Sequence, residues 1–270
     1  MGQHDVEVFG SQGQQDMERR AWALWQLLGD DPAYASHGRA LGVVNDDPNS
    51  LVRQIAMARL VGACACEEVG TEILESRAAD LQSAGLVTDS FVNWSSGDTT
   101  ISKARARLSG KGLSDDLTIV VVDSDTPPDV MAELDRVTQA CEVLLPMGPF
   151  MRGIARPSVC VAALDANGRA VGTSASVAMF HPGSRLSGIC WWGMLATDPD
   201  RRGEGIASYL GAYVLDQMHR RFGYDRYFTG IRTGNAPSEA LCTKFGFAAT
   251  DDHVLIAIDP TVLGGGRVTK

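Results

Sequence analysis

Hydrophobic positions along the chain recur with two different periods, and each period predicts an element. Met17, Ala21, Leu24, Trp25 and Leu28 form one stripe of a 3.6-residue repeat, which predicts a helix over 14–28 that stops at Gly29. Residues 51–61 are apolar enough to be either helix or buried strand. Val69, Ile73, Leu74, Ala78 and Leu81 predict a helix over 67–84, closed by Gly85. Polar, glycine-containing runs at 95–98 and 109–112 read as loops. Beyond them the texture changes. The β-branched run 117–122 (LTIVVV) is a strand by length and composition, and Pro127-Pro128 opens a helix with Val130, Leu134, Val137, Cys141 and Leu144 on its apolar face. Segments 159–164 and 170–179 read as strands joined by Asp165-Ala166-Asn167-Gly168, since Asn-Gly is a strong hairpin signal. Strands at 189–196, 226–231 and 253–258 alternate with helices at 205–221 and 236–245. A hairpin combined with crossover helices predicts an α/β (α+β) fold with a mixed sheet.

The punctuation divides the chain near residue 113. Residues 1–113 are expected to form a largely helical region without a catalytic motif, 114–262 a second domain, and 263–270 a flexible tail. With 270 residues, 44% hydrophobic and 21% charged, the chain can bury a sizeable core. A net charge of -9 argues against nucleic-acid binding and is compatible with a cationic substrate. The six cysteines lack Cys-x-x-Cys spacing, so no metal site is expected. The polar N-terminus has no apolar signal-peptide core, and no stretch is long and apolar enough to span a membrane. A cytoplasmic protein without membrane contact is the expectation.

The chemistry concentrates after residue 193. There Met194-Leu195-Ala196-Thr197-Asp198-Pro199-Asp200-Arg201-Arg202-Gly203-Glu204-Gly205-Ile206-Ala207 runs from a strand through a turn into a helix. The first N–H groups of a helix lack intrahelical partners, and glycines let an anion approach them. Arg201 and Arg202 add positive charge. Gly203-x-Gly205 alone is weak evidence for any ligand. As a dinucleotide fingerprint it fails, because the third glycine is replaced by Ser208, and no Gly-Lys-Ser/Thr is present.

These residues resemble the GNAT superfamily of N-acetyltransferases. Arg202-Gly203-Glu204-Gly205-Ile206-Ala207 matches its Arg/Gln-x-x-Gly-x-Gly/Ala signature. The run from Asn235 through Leu241 and Lys244 to Gly246-Phe247 is similar to its second motif. The resemblance covers 117–259 and implies a mostly antiparallel sheet flanked by helices, with acetyl-CoA as co-substrate. It implies that backbone N–H groups of Arg202, Gly203, Glu204, Gly205, Ile206 and Ala207, aided by Arg201 and the Ser208 hydroxyl, hold the pyrophosphate. Met194, Leu195 and Ala196 would pair with the pantetheine arm, and Asn235 would bond near that arm or at its helix start. The Leu195 N–H would polarise the thioester carbonyl. The implied reaction is direct attack by a primary amine on the acetyl carbonyl.

Two features depart from the family pattern. Its usual proton-donating tyrosine is replaced by Cys242, which is either that donor or a packing residue; Tyr209 and Tyr213 are substitutes. The strand Ile189-Cys190-Trp191-Trp192-Gly193 has no carboxylate base; Asp198 reads as structural and His181 as a solvated loop residue. Trp191 and Trp192 point to opposite faces, one into the core and one as an apolar wall for an amine acceptor, small molecule or peptide. The region before 114 is expected to cap the acceptor site, mediate a homodimer, or be a worn-down second copy of the domain. A non-catalytic acyl-CoA sensor and a transferase of longer acyl chains are the alternatives to an acetyltransferase.

Overall fold

In the computed structural model, which describes residues 6–45 and 47–263, the N-terminal stripe forms α1 (Gln12–Leu28) with Met17, Ala21 and Trp25 buried. The tail expected at 263–270 lies outside the described residues apart from Leu263. After α1 come β1 (Tyr34–His37), β2 (Ala40–Val44), α2 (Ser50–Val61), β3 (Ala63–Gly70), α3 (Thr71–Ser83), β4 (Val87–Ser96) and α4 (Thr100–Ser109). The second half holds β5 (Thr118–Val121), α5 (Pro128–Ala140), the single turn α6 (Gly148–Met151), β6 (Ser158–Leu164), β7 (Ala170–Val177), β8 (Ile189–Thr197), α7 (Ile206–Phe222), β9 (Arg226–Ile231), α8 (Ala236–Lys244) and β10 (Phe247–Ile258).

The ambiguous stretch 51–61 is helix: Gln54, Met57, Ala58 and Val61 form its buried face, and Gly62 at φ +114 closes it. The region before 113 contributes four strands besides its helices, which hydrophobic spacing alone did not predict. The helix expected over 67–84 begins at Thr71, because residues 63–70 belong to β3. That strand is hydrogen-bonded on both sides, to β2 in parallel and to β10 antiparallel, and two ladders outweigh a helical spacing that includes only Val69 ahead of Gly70. Cys141 and Leu144, expected on the face of α5, lie beyond its end, where Glu142 takes a left-handed φ of +59. The last strand starts at Phe247 rather than 253 and crosses an irregularity between Ala249 and His253.

All ten strands form one mixed, mostly antiparallel sheet in the order β1-β2-β3-β10-β4-β9-β8-β7-β6-β5, flanked by helices. An internal repeat is built into that order. The run strand, strand, helix, strand, helix, strand occurs as β1-β2-α2-β3-α3-β4 and again as β7-β8-α7-β9-α8-β10. In each run the first two strands are antiparallel and the second and third are parallel. The final strands are exchanged. β10 lies against β3 of the first run, β4 lies against β9 of the second, and the two pair with each other at the centre. Residue 113 falls between α4 and β5, while the sheet is built by strands from both sides of it.

The β1–β2 turn is held against the second half by a buried ionic clasp. Arg39, 4% exposed, donates to the Phe9 carbonyl and to Asp135 of α5 at 2.7 Å, and lies 3.2 Å from Glu18 of α1. Beside it, the Gly38 carbonyl accepts from Met147 N–H, and Leu144 occupies the space a side chain at Gly38 would need. Burial pushes the Glu18 carboxyl up to about 7 from an ordinary 4.5, with Asp135 adding to the rise and Arg39 and the Phe9 N–H opposing it. A carboxyl raised on folding stabilises fully below its unfolded value and loses that contribution as pH climbs through the folded one. The linked effect is about 3 kcal/mol, so the melting temperature should fall between pH 5 and 8, and Glu18→Gln should remove most of that fall. Thermal unfolding across that range, wild type against variant, reads this directly.

Among the described residues, no helix is long and apolar enough to cross a membrane.

Candidate functional site

The site begins where two parallel strands part. β8 pairs with β9 only over residues 189–191 against 226–228; β9 then turns to β4, while β8 continues along β7. A bulge marks the divergence. Met194 takes φ +54, and the β7–β8 register shifts between Thr173 and Ala175. Buried hydroxyls on β7 pin it: Thr173 donates to the Met194 carbonyl at 2.6 Å and Ser176 to that of Trp191 at 2.7 Å. The opening is a cleft of about 770 Å³, a size that suits a small-molecule ligand.

At one end of the cleft the chain enters α7. Gly203 and Gly205 hold φ values of +84 and +81, a region L side chains rarely enter, and Gly205 is the N-cap of the helix. An added Cβ at Gly203 would meet nothing within 4 Å, so the glycine serves the backbone turn rather than a tight contact. The next residue, Ile206, is seated on the sheet by Gly172 of β7, where a Cβ would stand 2.4 Å from Ile206 Cγ2. The two left-handed glycines lead directly into the first turn of α7, whose amides have no intrahelical partners.

Of the residues singled out from the sequence, Met194, Leu195, Arg202, Ala207, Asn235, Trp191, Trp192 and Cys242 line the cleft. Arg202 has no ion-pair partner among the described residues. The Asn235 side chain accepts from Ser238 N–H at 3.3 Å and so caps α8 while facing the cleft. Other residues are turned elsewhere. Arg201 bonds to Glu204 at 2.6 Å and Asp116 at 3.0 Å, holding the Glu204 carboxyl below its usual range, so this pair is neutralised internally. The Ser208 hydroxyl accepts from Arg107 Nε at 3.3 Å on the side of α7 that meets α4, away from the cleft. Ala196 is buried with Val137 and Ala170, and Ile206 is buried beneath the cradle. Asp198 is a turn residue: burial raises its carboxyl, but the Asp200 N–H, Arg169 and Arg136 outweigh this and lower it. His181 accepts from Gly183 N–H in an exposed turn.

The tryptophans divide as strand alternation requires. Trp192 is fully buried, stacked on Phe247 and donating its indole N–H to the Gly211 carbonyl, so it is chiefly a core residue. Trp191 belongs to the opposite core and borders the cleft beside Phe228. Cys242 reaches the cleft too, but burial pushes its thiol up to about 12. Tyr209 lies under the Arg107 guanidinium and Tyr213 is half-buried against the core.

The spatial picture adds residues that no local pattern marked. Arg107 of α4 also donates to the Gly205 carbonyl and places a cation behind the cradle. Arg232, bidentate to Asp89, and His37 of β1 line the cleft itself. In the first copy of the repeat the sequence before the helix, Asn45-Asp46-Asp47-Pro48-Asn49, has no glycine, and Asp47 accepts from Asn49 N–H and Arg53. Its parallel strands remain paired over 41–44 and 64–67, without a splay. Among the described residues, no group of three or more His, Cys, Asp or Glu side chains is placed to hold a metal.

The model of the Acetyltransferase (GNAT) family matches residues 131–247, from α5 to the start of β10. These residues form a GNAT domain. The strand, bulge and glycine cradle all lie inside it, as does the Asn235 to Phe247 run. No curated protein matches the chain. Solved structures extend the likeness in fold to the first half. A GCN5-related N-acetyltransferase from Kribbella flavida shares 13% identity over 90% of this chain and 95% of its own, with a TM-score of 0.51. A Drosophila protein shares 13% over 92% and 89%, at 0.54. A tandem GNAT protein from the clavulanic acid biosynthesis pathway shares 14% over 76% of this chain and 66% of its own, at 0.51.

Proposed function

We propose that the protein is an acetyl-CoA-dependent N-acetyltransferase whose acceptor is a primary amine carried on an apolar body. The observation that carries this reading is the cleft between β8 and β9, with the glycine cradle of a GNAT domain at its end. The residues present suit coenzyme A. Amides at the start of α7 and Arg202, which has no ion-pair partner among the described residues, would hold its diphosphate. The edge of β8 past Trp191, which no longer pairs with β9, would offer backbone groups to the pantetheine amides. When bound, acetyl-CoA supplies the activated acetyl group. The Leu195 N–H, just after the bulge, is the candidate donor to the developing oxyanion. Phe91, Trp191, Phe228 and Val254 give the rest of the cleft apolar walls, which favour an acceptor with a hydrophobic part.

Thermal-shift screening with acyl-CoAs, followed by assay of coenzyme A release with a panel of amines, tests the proposal. Stabilisation by acetyl-CoA and release that depends on an amine are expected. Arg202→Ala should weaken coenzyme A binding about tenfold, the worth of one charge-assisted contact, with little change in melting temperature. One competing reading is a non-catalytic acyl-CoA sensor, since Cys242 stands in place of the family's tyrosine and β8 carries no carboxylate. Tight binding with no turnover on any amine would establish the sensor instead.

A further inference from the structure

We propose that His37, from the first half of the chain, is the group that takes the proton of the acceptor amine, and that Glu67 positions it; this rests on the acetyltransferase reading above. His37 is the last residue of β1 and is 7% exposed, yet it lines the cleft. Its Nδ1 lies 2.8 Å from Oε1 of Glu67 in β3, a side chain 1% exposed. Among the described residues the Glu67 side chain has no other hydrogen-bond partner, and its Oε2 is buried without one. A carboxylate only accepts, so Nδ1 carries the proton and Nε2 presents its lone pair. No described residue bonds to Nε2, and it is not among the buried atoms without a partner, so it is accessible on a residue that lines the cleft.

An imidazole fixed at one nitrogen by a buried carboxylate, with the other nitrogen facing a ligand cleft, is the arrangement of a general base. The GNAT domain's own strand β8 carries no carboxylate. The step is a simple transfer. The N–H bond of an ammonium acceptor breaks, its electron pair stays on nitrogen, and the proton passes to Nε2 and then to solvent through the open cleft. The charged and titratable groups lining the cleft with His37 are Glu142 after α5, Arg202 before α7 and Arg232 after β9, with the thiols of Cys141 and Cys242; Glu67 of β3 does not line it and meets His37 at Nδ1. Arg232 is already satisfied by Asp89, and Cys141 donates to the Thr197 carbonyl. The exchanged strands give the arrangement its place. β10 pairs with both β3 and β4, which ties the strand carrying Glu67 to the strands that border the cleft.

The test compares wild type, His37→Gln and Glu67→Gln in kcat/KM against pH, with coenzyme A affinity measured alongside. His37→Gln should lower kcat/KM by 10²–10³ and abolish the acid limb of the profile, while coenzyme A binds as in wild type. Glu67→Gln keeps an acceptor for Nδ1 but removes the charge that favours the imidazolium. It should lower kcat/KM about tenfold and move the acid limb to lower pH, which serves as the readout if His37→Gln fails to fold. An active wild type whose rate and acid limb are unchanged in folded His37→Gln or in Glu67→Gln overturns this inference alone. A wild type that binds coenzyme A but acetylates no amine overturns the acetyltransferase reading, and the inference with it.

Discussion

Gly205→Asp is expected to abolish coenzyme A binding while leaving the fold intact. The position is the N-cap of α7 at φ +81, which costs most L residues 1–2 kcal/mol but suits Asp and Asn better than others. Space is available, since an added Cβ would meet only Arg107 Nη2, at 3.5 Å. A carboxylate there would sit among the unpaired amides at the helix start and gain about 0.3–1 kcal/mol from the dipole. Strain and gain nearly cancel, so the melting temperature should stay within a few degrees of wild type. The same carboxylate occupies the place proposed for a diphosphate and repels it. Calorimetry should show an affinity loss of at least a hundredfold, whereas Gly205→Asn, with the shape but not the charge, should lose about tenfold. If the Asp variant binds coenzyme A like wild type, the cradle is not the diphosphate site.

The second large effect concerns stability. Trp192→Ala should destabilise the protein by about 3–5 kcal/mol, which lowers the melting temperature by roughly 8 °C or more in a chain of this size. The indole stacks on Phe247 at 4.9 Å between centroids and meets Phe245 edge-on at 5.7 Å. Its N–H donates to the Gly211 carbonyl of α7, and a Cβ at Gly211 would come within 2.8 Å of the ring. One side chain thus ties β8, α7 and the residues joining α8 to β10. Trp191→Ala, whose ring is also buried but borders the cleft, should destabilise as well and in addition raise KM for the acceptor. Urea denaturation of both variants, with acceptor kinetics on the folded fraction, separates the two roles. Equal destabilisation with no acceptor effect at Trp191 would remove it from the substrate wall.

The distinction between the tryptophans shows where sequence reasoning reaches its limit. Strand alternation correctly put them on opposite faces, but which face meets the cleft depends on the splay of β8 from β9. The cradle was legible for the opposite reason. Left-handed glycines, a proline turn and a helical stripe are local in the chain, and local chemistry fixes them wherever the segment packs. Arg201 and Ser208 sit in the same motif and were expected to serve it, yet Asp116 and Arg107, brought by tertiary contacts, turn both away.

By itself the sequence determined most helices, the hairpin between β6 and β7, the glycine cradle and the resemblance to the GNAT superfamily, because each depends on residues within a few turns of one another. Only the tertiary structure decided that β4 and β10 change places, that residues 63–70 are strand, and that His37 and Arg107 stand near a cleft whose motif lies far away in the chain, 98 positions from Arg107 to Gly205. The physical reason is that a strand is completed by its neighbours. Its hydrogen bonds go to other segments, so neither its existence nor what its side chains face is written in its own residues.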